Sequence, residues 1–279
     1  MGKATERQRE LAAFLKARRA GLVRADFGLP PLRGGKTLGL RREEVAVLTG
    51  VSVTWYTWLE QARDASPSRQ VVDALARELR FTPAERAYVL ELAGYAGSVE
   101  DDEPEAPAAL PEHLDRLLKG WRAAPAFALT ADWDIVGWND AYAALYPAVG
   151  SAQPGTLNLL RVLFEDESVR RMMPNWAEDI CHFVAEYRAE QAVRVSRPSS
   201  RGLVERLSAT SEEFAALWAR HDIERFTSRM RIFEHPRVGL LHLEVHRLRP
   251  SDEPGLSIVV YTAVPGVTDL QAFERLGGA

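Results

Sequence analysis

The sequence predicts a two-domain α+β protein, with an all-α domain of five helices followed by an antiparallel sheet with helices laid across it. At 279 residues the chain is long enough for two domains. Apolar residues follow helical spacing through residues 5–94. After residue 111 short strands come first, amphipathic helices follow and strands return, which is the order typical of one sheet covered by helices.

The stretch from Leu38 to Arg63 carries two short helical patterns joined by a tight turn. Gly50 stands where the backbone must leave the first helix, a position that often needs a positive φ. Ser52 can cap the second helix, and Tyr56 and Leu59 lie three residues apart on its inner side. The pattern predicts a helix-turn-helix whose second helix can enter a major groove. The alternative is a helical hairpin that only packs.

Ala46, the run Gly50-Val51-Ser52, and then Tyr56, Leu59 and Glu60 resemble the helix-turn-helix of phage-repressor-like (XRE-type) regulators. Residues 52–94 resemble an actinobacterial subgroup of that family more closely still. The chain departs from the subgroup at Trp58, where a polar residue such as Arg is usual, and at Ala62, where Gly is usual. The resemblance implies a sequence-specific, DNA-binding transcriptional regulator.

The predicted DNA contacts lie on the outer faces of the second helix and at its flanks. Threonine methyls and tryptophan faces suit thymine methyls, while flanking arginines suit phosphates. The candidates are Arg41, Arg42, Ser52, Thr54, Trp55, Thr57, Trp58 and Arg63. Because one such module buries little DNA, we expect a homodimer on an inverted repeat. Two tryptophans on this helix equally suit a protein, so an adaptor that binds a partner instead of DNA stays open.

Charge is distributed unevenly along the chain. Residues 1–97 hold 16 Lys and Arg against 11 Asp and Glu, whereas the remainder holds 19 against 28. A basic first domain suits phosphate contacts, and the acidic remainder argues against nucleic acid binding there. Arg18, Arg19 and Arg24 are further candidates for phosphate contacts; the alternative for each is a solvated charged face.

The remaining helical patterns and a linker set the predicted boundaries. A fourth helix follows residue 68, and Thr82 to Glu85 form a capping box with proline at the first helical position of a fifth. Residues 28–40 carry paired prolines and glycines, which predict a loop. The acidic, proline-rich run before Pro111 predicts a linker. We therefore predict a DNA-binding domain over 1–97, a linker over 98–111 and a second domain over 112–279.

The second domain carries a resemblance of its own, in residues 125–146, 158–176, 214–223, 233–245 and 259–266. These separated motifs look like the MmyB-like ligand-binding domain, which commonly follows this type of helix-turn-helix and is similar to PAS domains. The resemblance implies a domain that holds a small apolar or fatty-acid-like effector.

A cavity between sheet and helices is the predicted ligand site, because such sites combine apolar walls with a few polar anchors. The alternative is that the aromatic residues simply fill the core. Arg161 is the candidate carboxylate anchor, although it can equally pair with Glu165 one turn along. His221 can equally be a hydrogen-bonded structural histidine. The candidate lining residues are Phe127, Trp138, Asn139, Asn158, Arg161, Phe164, Trp176, Phe183, Tyr187, Trp218, His221 and Tyr261.

The sequence contains no motif that predicts catalysis, a bound cofactor or membrane contact. It contains no catalytic elbow, intact phosphate loop or dinucleotide fingerprint. Cys181 is the only cysteine, which leaves no disulfide and no Cys-based zinc site. His242, Glu244 and His246 share one face of a strand, so a metal-dependent sensor or enzyme stays an alternative. We expect a cytoplasmic regulator without catalytic residues, cofactor, metal or membrane contact.

Overall fold

The computed structural model describes residues 4–30, 39–63, 65–95, 109–192, 194 and 198–277. Most of the predicted loop 28–40 and of the predicted linker 98–111 lies outside these residues. The chain forms two compact units. The helical unit comprises the described parts of Met1–Asp101, Arg188–Ser208 and Ala215–Arg225, and the sheet unit comprises those of Asp102–Tyr187, Ala209–Phe214 and Phe226–Ala279.

The helical unit begins with the five predicted α-helices. They are α1 (Glu6–Gly21), α2 (Arg42–Thr49), α3 (Val53–Glu60), α4 (Arg69–Glu78) and α5 (Pro83–Leu92), with a 3-10 turn at Arg24–Phe27. Thr82 and Glu85 form the capping box that the sequence predicts at the start of α5. Gly39 approaches α1 so closely that a Cβ atom there would lie 2.3 Å from the Arg19 carbonyl oxygen. Only glycine fits at that position.

One apolar core joins these helices to chain segments from the second half of the sequence. Phe14 and Leu15 of α1 pack with Val72 and Val89 of α4 and α5. Ala192 and Ile223 belong to the same cluster. The helical unit therefore takes part of its core from more than 90 residues beyond the helix-turn-helix.

Among the described residues the sheet unit contains six strands in the order β3-β2-β1-β6-β5-β4. All five pairings between these neighbouring strands are antiparallel. The strands are β1 (Ala126–Thr130), β2 (Asp134–Trp138), β3 (Leu157–Asn158), β4 (Arg229–His235), β5 (Gly239–Leu248) and β6 (Leu256–Ala263). The predicted antiparallel sheet with helices is confirmed, and β3 is an addition too short to give a sequence pattern.

The described part of the chain contains nine further α-helices. They are α6 (Glu112–Gly120), α7 (Asp140–Leu145), α8 (Pro147–Gly150), α9 (Leu159–Glu165), α10 (Glu167–Met172), α11 (Trp176–Gln191), α12 (Pro198–Thr210), α13 (Glu212–Ala219) and α14 (Leu270–Glu274). Leu114 and Leu118 of α6 pack on one face of the sheet, against Ala126, Ala128 and Val136. No helix in the described part of the chain combines the length and hydrophobicity that crossing a bilayer requires.

Candidate functional site

The turn between α2 and α3 has the geometry of a helix-turn-helix. Gly50 adopts φ +71°, and its backbone N–H donates to the Ala46 carbonyl, ending α2. Ser52 caps α3 by accepting from the Trp55 backbone N–H at 3.1 Å. After α3 the chain turns at Ala62, which adopts φ +51°. That left-handed conformation explains why glycine suits the position in the family that this stretch resembles.

The two sides of α3 differ sharply in exposure. Tyr56 and Leu59 are buried in the helical core. Ser52 and Thr54 are exposed, and Trp58 keeps 42% of its surface exposed. Thr57 is half-buried, and Trp55 is half-buried against the core. Trp58 and Thr54 are therefore available to a partner of α3, whereas Trp55 also supports the fold.

Glu60 fastens α3 to two other helices through a buried carboxylate. Arg19 of α1 donates to both of its oxygens, at 2.5 and 3.0 Å. The Nε of Arg42 donates to Oε2 at 2.6 Å. Burial acts to raise the pKa of Glu60, but hydrogen bonds from Arg19 and Arg42 outweigh it and lower that pKa. These ion pairs fix the positions of α1, α2 and α3 relative to one another.

The arginines predicted to bind phosphates fall into two groups, because some pair with groups inside the unit and others are exposed. Arg24 is buried and pairs with Glu44 at 2.5 and 2.6 Å, and Arg18 donates to the Leu79 carbonyl at 3.2 Å. The interpretation of Arg19 and Arg24 as phosphate contacts is wrong, because both are buried in ion pairs within the unit. Arg41, which precedes α2, and Arg63, which follows α3, are both exposed. Net charge by itself does not distinguish such paired arginines from exposed ones.

Aromatic side chains lie between the sheet and α7. The rings of Phe127 and Tyr142 stack at 4.3 Å, and Tyr261 lies 6.3 Å from Phe127. Phe233 meets Tyr261 edge-on at 5.8 Å. The hydroxyl of Tyr142 is buried and finds no hydrogen-bond partner among the described residues. Buried hydroxyl groups without a hydrogen-bond partner are uncommon in protein cores.

Several predicted ligand contacts have structural roles. Asn139 caps α7, and its amide nitrogen donates to the carbonyls of Trp121 and Ala124 at 2.7 and 2.8 Å. Asn158 donates to the Asp132 carbonyl at 2.8 Å and caps α9. Arg161 pairs with Glu165 at 3.0 Å on the surface of α9. The i,i+4 alternative is therefore confirmed, whereas the role of Arg161 as a carboxylate anchor stays a prediction.

The remaining predicted lining residues do not converge on one place. Phe164, Trp176 and Phe183 lie in the sheet unit, where Trp176 contacts Phe164 edge-on and donates to the Leu163 carbonyl at 3.0 Å. Tyr187 contacts Trp133 at 5.3 Å, and Trp138 is half-buried in β2. Trp218 and His221 belong instead to the helical unit.

Arg231 and Asp179 form a buried ion pair that sequence reasoning missed. Arg231 of β4 donates to Asp179 Oδ1 of α11 at 2.7 Å and lies over the Phe183 ring at 3.8 Å. Burial raises the pKa of Asp179, while the charge of Arg231 acts in the opposite direction. Arg231 alternates in phase with Phe233 and His235, and all three are buried. This two-residue alternation along β4 could have predicted that Arg231 faces inward.

A second buried cluster, in the helical unit, surrounds Glu10 of α1. Its carboxylate accepts from the Tyr88 hydroxyl at 2.7 Å and from the guanidinium of Arg188. Arg188 is 1% exposed, approaches His221 Nδ1 at 3.0 Å and covers the Trp218 ring at 3.7 Å. Burial acts to raise the pKa of Glu10, but the His221 hydrogen bond and the Arg188 charge lower it to about 2. His221 therefore has the structural role that was its alternative.

The histidines that suggested a metal site and the single cysteine are placed as follows. His242, Glu244 and His246 share one face of β5, as predicted, and His246 Nε2 lies 3.0 Å from the Thr262 hydroxyl. Within the described ranges no three His, Cys, Asp or Glu side chains are placed to hold a metal ion. The partly exposed thiol of Cys181 donates to the Ala177 carbonyl at 3.2 Å.

Comparison with known families agrees with both halves of the structure. Residues 10–89 match a helix-turn-helix domain, and residues 110–276 match the MmyB-like transcription regulator ligand binding domain. No curated protein matches the chain. The second match covers more than half of the 279 residues and includes all six strands. The chain therefore belongs to the MmyB-like transcription regulators, DNA-binding proteins in which a helix-turn-helix precedes a ligand-binding domain.

Proposed function

We propose that the protein is a cytoplasmic one-component regulator that acts as a homodimer on an inverted-repeat operator. Helix α3 enters the major groove, with Thr54 and Trp58 against base edges and with Arg41 and Arg63 on the flanking phosphates. The observation that carries this proposal is the exposed outer side of α3 beside a buried inner side fixed by Glu60. Ser52, Arg42, Trp55 and Thr57 are supporting contacts, because the fold already uses part of each side chain.

The first experiment selects genomic DNA fragments with the purified full-length protein at two salt concentrations and sequences those retained. A recurring inverted repeat is the expected result, because two modules related by a two-fold axis read two half-sites. Binding that salt abolishes and that yields no recurring site would favour the adaptor alternative, in which α3 binds a protein.

Trp58→Ala is expected to weaken binding to the selected operator about tenfold, because it removes apolar contact with thymine methyls. Fold stability is expected to change little, since the side chain is 42% exposed. Fluorescence anisotropy with the operator and with a scrambled duplex measures the effect. Leu117→Ala, at a residue 44% exposed in the sheet unit, is the matched control. Equal affinity of Trp58→Ala and the unaltered chain would show that α3 does not read the DNA.

We further propose that the ligand-binding domain takes an apolar, fatty-acid-like effector among the aromatic residues between the sheet and α7. The stacked rings of Phe127, Tyr142 and Tyr261 supply apolar walls, and the buried Tyr142 hydroxyl supplies a donor that lacks an acceptor. An effector changes regulation only if it binds one arrangement of the protein better than another.

Tyr142→Phe is expected to lower affinity for decanoate about tenfold without lowering the stability of the ligand-free protein. The reason is that the hydroxyl has no partner to lose until the carboxylate arrives. Calorimetric titration and urea unfolding provide the two readouts. Tyr146→Phe is the control, because its hydroxyl already bonds with Tyr261 and its loss is expected to destabilise the ligand-free protein. Unchanged decanoate affinity in Tyr142→Phe would contradict the assignment.

A further inference from the structure

The sheet unit contains a polar cavity that is separate from the aromatic core. Its volume is about 380 Å³, within the range of small-molecule sites. It lies where the start of α11 meets the start of β4. The lining residues are Asn175, Glu178, Asp179, His182, Thr227, Arg229 and Met230.

Asp179 contributes an acceptor to this cavity that nothing in the described chain uses. Its Oδ1 accepts from Arg231 at 2.7 Å, whereas its Oδ2 is buried without a hydrogen-bond partner among the described residues. The residue as a whole is 6% exposed. Buried carboxylate oxygens nearly always accept a hydrogen bond, and leaving one unsatisfied is costly. This oxygen can therefore accept a hydrogen bond from a ligand that carries an N–H or O–H group.

The surrounding charges favour a cation over an anion. Arg229 lies 3.1 Å from Glu186, so its positive charge is already balanced. Arg231 balances Asp179 in the same way. Glu178 is exposed and has no ion pair within the described residues. Glu178 thus has no ion-pair partner among the described residues at this cavity, and a second carboxylate or a phosphate beside it would meet repulsion.

The geometry does not suit a metal ion. Glu178, Asp179 and His182 are on one helix turn, yet they are not placed to coordinate a common ion. Met230, which is 51% exposed, offers an apolar surface at the rim. An organic cation with a short alkyl chain suits this cavity, because its N–H groups can donate to the carboxylates while its methylenes contact the thioether of Met230.

We propose that this cavity binds a small organic ammonium ion, which donates to Asp179 Oδ2 and Glu178 and rests its carbon stem on Met230. The site is distinct from the aromatic effector site and does not depend on DNA binding. The ligand class is a primary amine with a short alkyl chain.

The test titrates the full-length protein with n-butylammonium, using n-butanol and butyrate as neutral and anionic probes with the same stem. Saturation-transfer NMR detects binding, and chemical-shift titration gives Kd. We expect n-butylammonium to bind about tenfold more tightly than butanol, because it forms charge-assisted hydrogen bonds. Butyrate is expected not to bind. Stronger binding of butyrate than of the amine would overturn the proposal.

Two variants locate the binding to this cavity. Asp179→Asn is expected to weaken n-butylammonium binding about tenfold, but it also removes the partner of Arg231 and lowers stability. Glu178→Gln changes an exposed side chain in a folded protein and is expected to weaken binding about threefold. Glu167→Gln on α10 is the matched control and is expected to leave Kd unchanged. Unaltered affinity in Glu178→Gln would place the amine elsewhere and refute the assignment.

Discussion

Replacing Glu60 with alanine is expected to lower the unfolding free energy of the helical unit by about 3–5 kcal/mol. The Glu60 side chain is fully buried, and its removal leaves Arg19, itself almost buried, without a counter-charge. Since domains are stable by only about 5–15 kcal/mol, this single change removes a large share of the total. Urea unfolding monitored by far-UV circular dichroism measures the loss.

Two controls separate this effect from the general cost of losing a glutamate. Glu78→Ala removes a surface carboxylate whose partner Arg77 is largely exposed, and it is expected to cost less than about 1 kcal/mol. Arg42→Ala keeps the Arg19–Glu60 pair and is expected to cost less than Glu60→Ala, because the Arg42 side chain is 38% exposed. A Glu60→Ala variant as stable as Glu78→Ala would mean that the ion pairs do not hold the three helices together.

Replacing Arg188 with alanine is expected to cost a similar amount, about 3–5 kcal/mol, and to change how stability depends on pH. In the unaltered protein the pKa of Glu10 lies at about 2, below its ordinary value of 4.5. As pH falls, the unfolded state binds a proton first, so this group contributes stability above pH 4.5 that is lost between 4.5 and about 2. The loss amounts to about 3 kcal/mol.

Urea unfolding over a pH series measures this dependence. In Arg188→Ala one of the interactions that lower the Glu10 pKa is gone, so that pKa is expected to rise and the loss of stability with acid is expected to shrink. Glu10→Gln removes the titrating group and is expected to flatten the same pH window while keeping the Tyr88 contact in neutral form. If Glu10→Gln loses stability between pH 4.5 and 2 as steeply as the unaltered protein does, Glu10 is not the source.

Local signals in the sequence predicted most of the secondary structure. The Gly50 turn, the Ser52 cap and the capping box at Thr82 act over three or four residues, and the structure contains all three. Alternating residues predicted the five longer strands in the same way. Helix α12 was missed, because its apolar residues are few and do not form a continuous stripe. Strand β3 consists of two residues and carries no periodicity.

Candidate site residues were predicted less well, because their partners are distant in sequence. Arg19 meets Glu60 across 41 positions, Arg188 meets Glu10 across 178, and Arg231 meets Asp179 across 52. The net charge of a domain does not show which residue an individual arginine pairs with. Arg161 shows the converse, since its correct partner was the local one, four residues along the helix.

The participation of the described parts of Arg188–Ser208 and Ala215–Arg225 in the helical unit has a practical consequence for genetic dissection. A fragment that stops after α5 lacks Ala192 and Ile223 from its core, and it leaves the Glu10 carboxylate without Arg188. Loss of operator binding in such a truncation would report a damaged scaffold, not the absence of an effector signal. Chimaeras between regulators of this family should therefore exchange α1 to α5 together with Arg188–Ser208 and Ala215–Arg225, and should keep Ala209–Phe214 with the sheet unit.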